Sequence, residues 1–145
     1  MEFDIITMTE RDRVEVKKMM RTFYSSDAVS TNGSEEIFEN DINACINSPY
    51  AEGFVFKVGE NYLGYAMLAK SYSTEFGKIC IWVEDLYLQP NARGLGIGKT
   101  FFAFINETFK DCIFRLEVEK ENERAVALYE KQGYKYLPYA EMIKL

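Results

Sequence analysis

The chain has 145 residues, of which 48% are hydrophobic and 15% aromatic, so it can bury the core of one domain spanning residues 1–145. Its formal net charge is −6, which argues against a nucleic-acid partner, because such proteins carry a basic surface. There is no histidine, and the three cysteines lack metal-site spacing, so we expect no metal and no histidine-activated nucleophile. No apolar run resembles a signal peptide or a membrane span, and we therefore expect a cytoplasmic protein without a membrane partner.

Hydrophobic periodicity predicts the elements of the N-terminal half. A strand and two helices come first, at Phe3–Met8, at Glu10 to about Ser25, and from Ser34 to just before Pro49. The apolar period then changes to two, which predicts strands on both sides of the turn Gly59-Glu60-Asn61 and a further strand at Lys78–Leu88. These three strands should form an antiparallel meander.

The C-terminal half is predicted to alternate between helix and strand. It contains a helix from Gly96 to about Lys110, a strand at 112–119, a helix at 122–132, and closing strands at 134–137 and 140–145. The complete order predicts an α/β (α+β) fold. We expect a mixed, mostly antiparallel sheet of about six to seven strands, with about four helices distributed over both faces.

The loop between the third meander strand and the next helix reads RGLGIGKT, Arg93 to Thr100. A nucleotide P-loop would need glycine in place of Arg93, and a dinucleotide fingerprint would need glycine in place of Lys99 and a parallel sheet. Neither motif fits. The glycines would let an anionic group approach the amides at the helix N-terminus, beside the charges of Arg93 and Lys99. A turn needed only for its backbone conformation is the alternative.

Two motifs carry a resemblance to a known family. LYLQPNARGLGIGKTFF resembles the acetyl-CoA loop of the GNAT superfamily of N-acetyltransferases, with its Gln/Arg-x-x-Gly-x-Gly/Ala signature filled by Arg93, Gly96 and Gly98. ENERAVALYEKQGYKYL is similar to the second signature of the superfamily, with its positions filled by Asn122, Tyr129, Gly133 and Tyr134. The resemblance covers nearly the whole chain, and it implies the GNAT fold with acetyl-CoA as co-substrate.

A longer segment, GYAMLAKSYSTEFGKICIWVEDLYLQPNARGLGIG, resembles the diamine and thialysine acetyltransferase branch more narrowly. That branch implies a primary amine on a cationic small molecule, such as a polyamine or a diamino acid, and a possible homodimer. A protein lysine or N-terminal acetyltransferase of the same fold is an alternative. A non-catalytic sensor that binds acyl-CoA is another.

The superfamily resemblance also implies residues for the cofactor. They are Leu86, Tyr87, Leu88, Arg93, Gly94, Leu95, Gly96, Ile97, Gly98, Lys99, Asn122 and Tyr129. In the superfamily this strand splays from its neighbour at a bulge. The free backbone groups of the three strand residues would therefore bind the pantetheine arm and polarise the thioester. Tyr129 is the candidate acid, because a phenol with a pKa near 10 can donate a proton to the departing thiolate. Asn122 lies seven residues earlier, on the same helical face. A helix cap for Asn122 and a core aromatic for Tyr129 are the alternative interpretations.

Glu84 and Asp85 are the candidate carboxylates for the amine. An alkylammonium has a pKa near 10.4, so at pH 7 removing its proton costs about 4–5 kcal/mol, and a carboxylate can accept that proton. Strand alternation places Glu84 with Trp82 and Leu86, and Asp85 with Val83, so only one carboxylate can face the substrate unless a bulge intervenes. The branch resemblance favours Glu84 as base or proton relay. For Asp85, a surface charge pair is the alternative to substrate binding.

The segment FYSSD adds a third candidate for the acceptor pocket. It places the aromatic rings of Phe23 and Tyr24 near Asp27, a combination that suits a cation through stacking and charge. We therefore include Tyr24 among the predicted substrate-binding residues. Core packing with helix capping is the alternative interpretation.

Overall fold

The computed structural model describes residues 1–26 and 33–145. Five strands lie in these ranges, and they are β1 (Asp4–Thr7), β2 (Ala51–Val58), β3 (Asn61–Ser73), β4 (Lys78–Leu88) and β5 (Ile113–Leu116). The α-helices of the same ranges are α1 (Arg13–Tyr24), α2 (Glu35–Asn47), α3 (Ile97–Thr108) and α4 (Glu123–Lys131). Short 3-10 turns at Glu10–Asp12 and Pro90–Ala92 precede α1 and the glycine loop. No helix described here has the length and apolar character needed to cross a membrane.

The strands form one mixed sheet in the order β1-β2-β3-β4-β5. The first four strands are antiparallel neighbours, and β5 joins the outer side of β4 in parallel. The predicted meander is therefore confirmed, with Val58 opposite Asn61 at the tight turn between β2 and β3. The parallel partner arrives through α3, because a parallel connection needs a crossover and cannot be made by a hairpin.

Apolar side chains cover both faces of the sheet. On one face, α1 and α2 contribute Val16, Met19, Met20, Phe38 and Ile42 to a cluster with Val55, Tyr65 and Tyr87 of the strands. On the other face, α3 contributes Ile97, Phe101, Phe102 and Ile105 to a cluster with Phe54, Phe56, Ile81 and Val83. The expected placement of helices on both faces is confirmed.

The two predicted closing strands are wrong, and the described sheet has five strands instead of six to seven. Residues 134–145 form no strand, and Pro138 interrupts them. This tail crosses the open side of a cleft at the end of β5, where the hydroxyl of Tyr139 donates to Glu75 at 2.7 Å. Its last apolar side chains stay in solvent, with Met142 98% exposed. Alternation in the sequence suggested strands, but the backbone makes no ladder with β5.

Candidate active site

A cleft opens where β4 and β5 separate. The two strands pair only from Cys80 to Val83 on β4, and beyond Val83 no described strand lies on that side of β4. The resulting cleft has a volume of about 1030 Å³. Clefts that hold small ligands measure about 300–1,000 Å³, so this one can accommodate two substrate groups side by side.

A β-bulge at Glu84 sets the direction of the side chains in this cleft. Met67 of β3 pairs with Asp85, and the next residue, Leu68, pairs with Val83, so Glu84 is an extra residue in β4. An extra residue reverses the alternation that follows it. Val83 accordingly packs on the α3 face, whereas Asp85 points to the α1 face. The bulge that the sequence analysis left open is therefore present, and both carboxylates line the cleft.

Asp85 is buried and held by two phenols. It is 5% exposed, and it accepts hydrogen bonds from the hydroxyls of Tyr24 at 2.9 Å and Tyr65 at 2.7 Å. Burial raises the pKa of Asp85, and the two phenols act in the opposite direction. The simple surface charge pair suggested for Asp85 does not describe this geometry. Tyr24 lines the cleft as well, whereas Asp27 lies outside the described residues.

Other carboxylates make the side of the cleft that holds Glu84 and Asp85 acidic. Burial, and then the charges of Asp85 and Glu141, raise the pKa of Glu84. A hydrogen bond in which protonated Glu117 donates to the tail residue Glu141, together with burial and nearby charge, raises the pKa of Glu117 to about 7. Asp41 on α2 has its pKa raised to about 6 by burial and by the charges of Asp85 and Glu84. Neighbouring carboxylates contribute to each of these shifts after burial or a hydrogen bond, and a cation placed among them would offset that part.

Tyr129 and Asn122 face the same cleft from α4. The ring of Tyr129 packs edge-on against Phe102 at 5.8 Å, and burial raises its pKa, so the phenol keeps its proton at neutral pH. Asn122 caps α4, because its Oδ1 accepts from the Ala125 amide at 3.3 Å. The capping role weighed for Asn122 is therefore present, and the amide NH₂ of its side chain is not consumed by that bond.

The glycine loop lies outside the cleft lining, at the N-terminus of α3. Gly94 and Gly96 have φ values of +76° and +85°, which favour glycine. Gly96 is the N-cap of α3, so no side chain caps the first amides of the helix. A Cβ built on Gly96 would meet nothing within 4 Å, so the structure leaves open space above these amides. This open end of a helix suits a phosphate group.

Gly98 has a different reason to be glycine. A Cβ there would come within 3.2 Å of Leu128 Cδ2, so the missing side chain lets α3 pack against α4. Arg93 also turns partly away from the loop, because its Nε donates to the Leu88 carbonyl at 3.0 Å. An anion bound at the loop would therefore contact mainly the backbone amides at the start of α3, and the loop side chains less.

Arg124 was missed by the sequence reasoning. Its Nη2 lies 3.5 Å from the point where a Cβ on Gly94 would stand, so the guanidinium covers the loop from α4. Arg124 is 30 residues from Gly94 in the sequence, and nothing in the local pattern around it indicates this contact. Its place next to Asn122 in the second motif was the available signal.

A protein-family model with the description acetyltransferase (GNAT) family matches residues 16–134. A thialysine N-epsilon-acetyltransferase from Caenorhabditis elegans is 28% identical over 145 residues, which cover 96% of this chain and 87% of that protein. The protein of the same name from Sus scrofa is 38% identical over 86 residues, which are 57% of this chain and 50% of its own length.

A solved structure described as a possible acetyltransferase, from Clostridium difficile 630, has the same architecture. It superimposes with a TM-score of 0.81 over 99% of this chain and 97% of that chain, at 19% sequence identity. At this identity, the similarity shows a common fold. The order of strands and the helices on both faces are thus shared well beyond close sequence relatives.

Proposed function

This chain belongs to the acetyltransferase (GNAT) family, and we propose that it transfers the acetyl group of acetyl-CoA directly to a primary amine of a cationic small molecule. Membership makes it an acetyl-CoA-dependent N-acetyltransferase with the GNAT fold. The thialysine acetyltransferases among its relatives support a diamino acid or a polyamine as the acceptor.

The observation that carries the proposal is the composition of the two sides of the cleft. Glu84 and Asp85 face it from β4, and Tyr129 faces it from α4. Acid and base groups thus lie on either side of one space, which is what transfer between two bound substrates requires. The acidic side suits an ammonium, because opposite charges within a few ångströms attract strongly in a partly buried site.

Asp85 is the proposed binding partner of the acceptor ammonium. The two phenols fix its carboxylate, so the group is oriented before the substrate arrives. Tyr24 thereby has a role in positioning Asp85, in addition to lining the cleft. Glu84 lies at the bulge and is more exposed, so it can exchange protons with solvent. Its raised pKa makes it a stronger base than an ordinary glutamate.

Acetyl-CoA, when bound, supplies an acyl group activated as a thioester. The acceptor ammonium first gives one proton to Glu84, which releases it to solvent. The free amine nitrogen then forms a bond to the acyl carbon as the carbon–sulfur bond breaks, Tyr129 donates a proton to the departing sulfur, and the second amine proton returns to the Tyr129 oxygen through solvent. Backbone groups of Leu86 on the side of β4 facing the cleft are the proposed hydrogen-bond partners of the thioester arm. Transfer in one step needs no side-chain nucleophile.

The loop residues are proposed to hold the phosphates of acetyl-CoA. The first amides of α3 and the open space above Gly96 fit a diphosphate. Lys99, in the first turn of α3, adds a charge next to these amides. The phosphate end would therefore lie on the surface, with the thioester end in the cleft.

The first experiment is calorimetric titration with acetyl-CoA, followed by a thiol-release screen with spermidine, putrescine, lysine, thialysine and short peptides. We expect binding, and turnover with at least one cationic small amine. Turnover with peptides alone would replace the small acceptor with a protein lysine or N-terminus. Binding without any turnover would indicate a sensor, and absence of binding would overturn the proposal. Size-exclusion chromatography of the same sample tests the proposed homodimer.

A further inference from the structure

We propose that Gly33 is a positioning residue of the acceptor site, because its missing side chain lets the start of α2 close against Tyr24 and keep the phenol on Asp85. This inference rests on the proposed function, since it concerns the acidic side of the same cleft. Gly33 directly precedes Ser34, the N-cap of α2, and Tyr24 is the last residue of α1. The two helices therefore meet beside the carboxylate that is proposed to bind the ammonium.

The space at Gly33 leaves no room for a methyl group. A Cβ built there would lie 2.7 Å from Tyr24 Cβ and 3.0 Å from Phe38 Cζ. Carbon atoms in favourable contact are about 3.5–4.0 Å apart, so a methyl group would have to move Tyr24 or Gly33 by about 0.8 Å or more. The φ of Gly33 lies outside the left-handed region, so its backbone conformation does not require glycine. Close approach to Tyr24 is therefore the reason for glycine here.

The start of α2 supports the phenol through Phe38 as well. The rings of Tyr24 and Phe38 pack with their centroids 5.4 Å apart, and Phe38 is buried. At the far end of the Tyr24 ring, the hydroxyl donates to Asp85 at 2.9 Å. A displacement of about 0.8 Å along this bond would stretch it to about 3.7 Å, which is beyond hydrogen-bond length. If the start of α2 moved away instead, Phe38 would leave the Tyr24 ring, so the phenol loses its support in either case.

The start of α2 is itself tied to its surroundings. The hydroxyl of Ser34 accepts from the Ile37 amide at 3.2 Å, which caps the helix. Arg21, one turn before the end of α1, donates through its Nε to Glu35 at 3.0 Å. Both neighbours that follow Gly33 are thus held, and Tyr24 is the residue nearest to an added methyl group. Strain from that group therefore falls first on Tyr24.

The test combines thiol release with the best cationic acceptor, at saturating acetyl-CoA, with calorimetric titration of acetyl-CoA. Gly33→Ala is compared with the wild type, with Tyr24→Phe and with the double variant. Gly53→Ala is the matched control, because a Cβ on Gly53 of β2 would be equally crowded, 2.8 Å from Met8 Cε and 3.0 Å from Cys45 Cβ, outside the cleft lining. Urea unfolding shows that each variant is folded.

We expect Gly33→Ala to lower kcat/KM for the amine about tenfold, because a hydrogen bond to a charged group is lost. The loss should lie in the KM of the amine, with kcat and acetyl-CoA affinity within threefold, since Asp85 is proposed to hold the ammonium and not the co-substrate. Tyr24→Phe should lose a similar factor. In that background Gly33→Ala should lower kcat/KM less than twofold further, because both changes act on one contact. Gly53→Ala should keep kcat/KM within twofold.

Three results would overturn the inference. Gly33→Ala could lower kcat/KM less than threefold, it could lose the same factor with and without the Tyr24 hydroxyl, or Gly53→Ala could lose as much. If Gly33→Ala does not fold, Phe38→Leu decides, because it removes the supporting ring without adding a clash. It should lower kcat/KM at least threefold in the wild type and not in Tyr24→Phe, and a smaller loss in the wild type overturns the inference.

These results leave the proposed function standing, because the wild type still turns over the amine. A wild type without turnover on any cationic amine contradicts the proposed function, and the role of Gly33 with it.

Discussion

Replacing Asp85 with asparagine tests the acceptor site most directly. The carboxylate is 5% exposed, so its attraction for an ammonium is screened by protein more than by water. At an effective dielectric constant of 20, two unit charges about 4 Å apart attract by about 4 kcal/mol. Because 1.36 kcal/mol is tenfold, we expect kcat/KM for a cationic amine to fall by about 10²–10³.

The fold should tolerate this change. Burial raises the pKa of Asp85, with the two phenols opposing, so ionising this side chain costs more in the folded protein than in the unfolded chain. The folded protein therefore loses stability as the pH rises through the folded pKa of Asp85. Asparagine does not ionise, so Asp85→Asn removes that loss. In Asp85→Asn the side-chain oxygen still accepts from one phenol. The other phenol must donate to a different group or accept a hydrogen bond from the asparagine NH₂. We expect the free energy of unfolding to change by about 1–2 kcal/mol at most.

Asp12→Asn is a matched control. Asp12 is 3% exposed, and it accepts from the Tyr62 hydroxyl at 2.6 Å and from the Thr9 amide at 2.9 Å, away from the cleft. Both variants are assayed by thiol release with the best acceptor, by calorimetry with acetyl-CoA, and by urea unfolding. Only Asp85→Asn should lose activity, with acetyl-CoA affinity kept within about threefold. Asp85→Asn activity within threefold of wild type, or an equal loss in Asp12→Asn, would refute ammonium binding by Asp85.

Further variants test the remaining roles. Tyr129→Phe should lower kcat by about 10²–10⁴ with acetyl-CoA affinity unchanged by calorimetry, and a fully active variant would contradict its role as acid. Gly96→Val should abolish acetyl-CoA binding. The control Gly59→Val, at an equally open position with φ +60°, should bind acetyl-CoA normally. Equal losses of affinity in both variants would mean that backbone strain explains both. The pKa of Glu84 is raised above 4.5, so the pH–rate profile should fall on acidification through that raised pKa. Glu84→Gln should lose this acidic limb, and an unchanged limb would exclude Glu84 as base.

The meander and the two signature motifs could be read from the sequence, because both depend on local patterns. Alternation and a glycine turn predict β2 and β3, and Lys78–Leu88 is β4 with the same limits. The resemblance implied a bulge in this strand, but its position at Glu84 could not be predicted, because it depends on how many residues of β3 and β4 lie between two paired positions. That number is a property of two strands together, and a single strand does not reveal it.

The hydrogen-bond donors to Asp85 could not be predicted from the sequence, for a related reason. Tyr65 lies 20 residues from Asp85 and Tyr24 lies 61 residues away, so only the folded sheet and α1 bring them together. The sequence suggested Tyr24 as a stacking ring for a cation, whereas in the structure its hydroxyl donates to Asp85. The two closing strands predicted at the C-terminus are the opposite kind of error. There an alternating apolar pattern predicted strands, but the backbone forms no ladder.

The bulge connects the architecture of the sheet with the chemistry of the cleft. The last β4 residue paired with β5 is Val83, and the bulged residue is the next one, Glu84. A bulge increases the local twist of a strand, so the β3 ladder is distorted where β4 leaves β5. The same irregularity places two consecutive carboxylates in one cleft, which a regular strand cannot do. The end of the β4–β5 ladder and the two carboxylates therefore lie at adjacent residues, and this acidic side of the cleft lies next to the backbone proposed to hold the thioester.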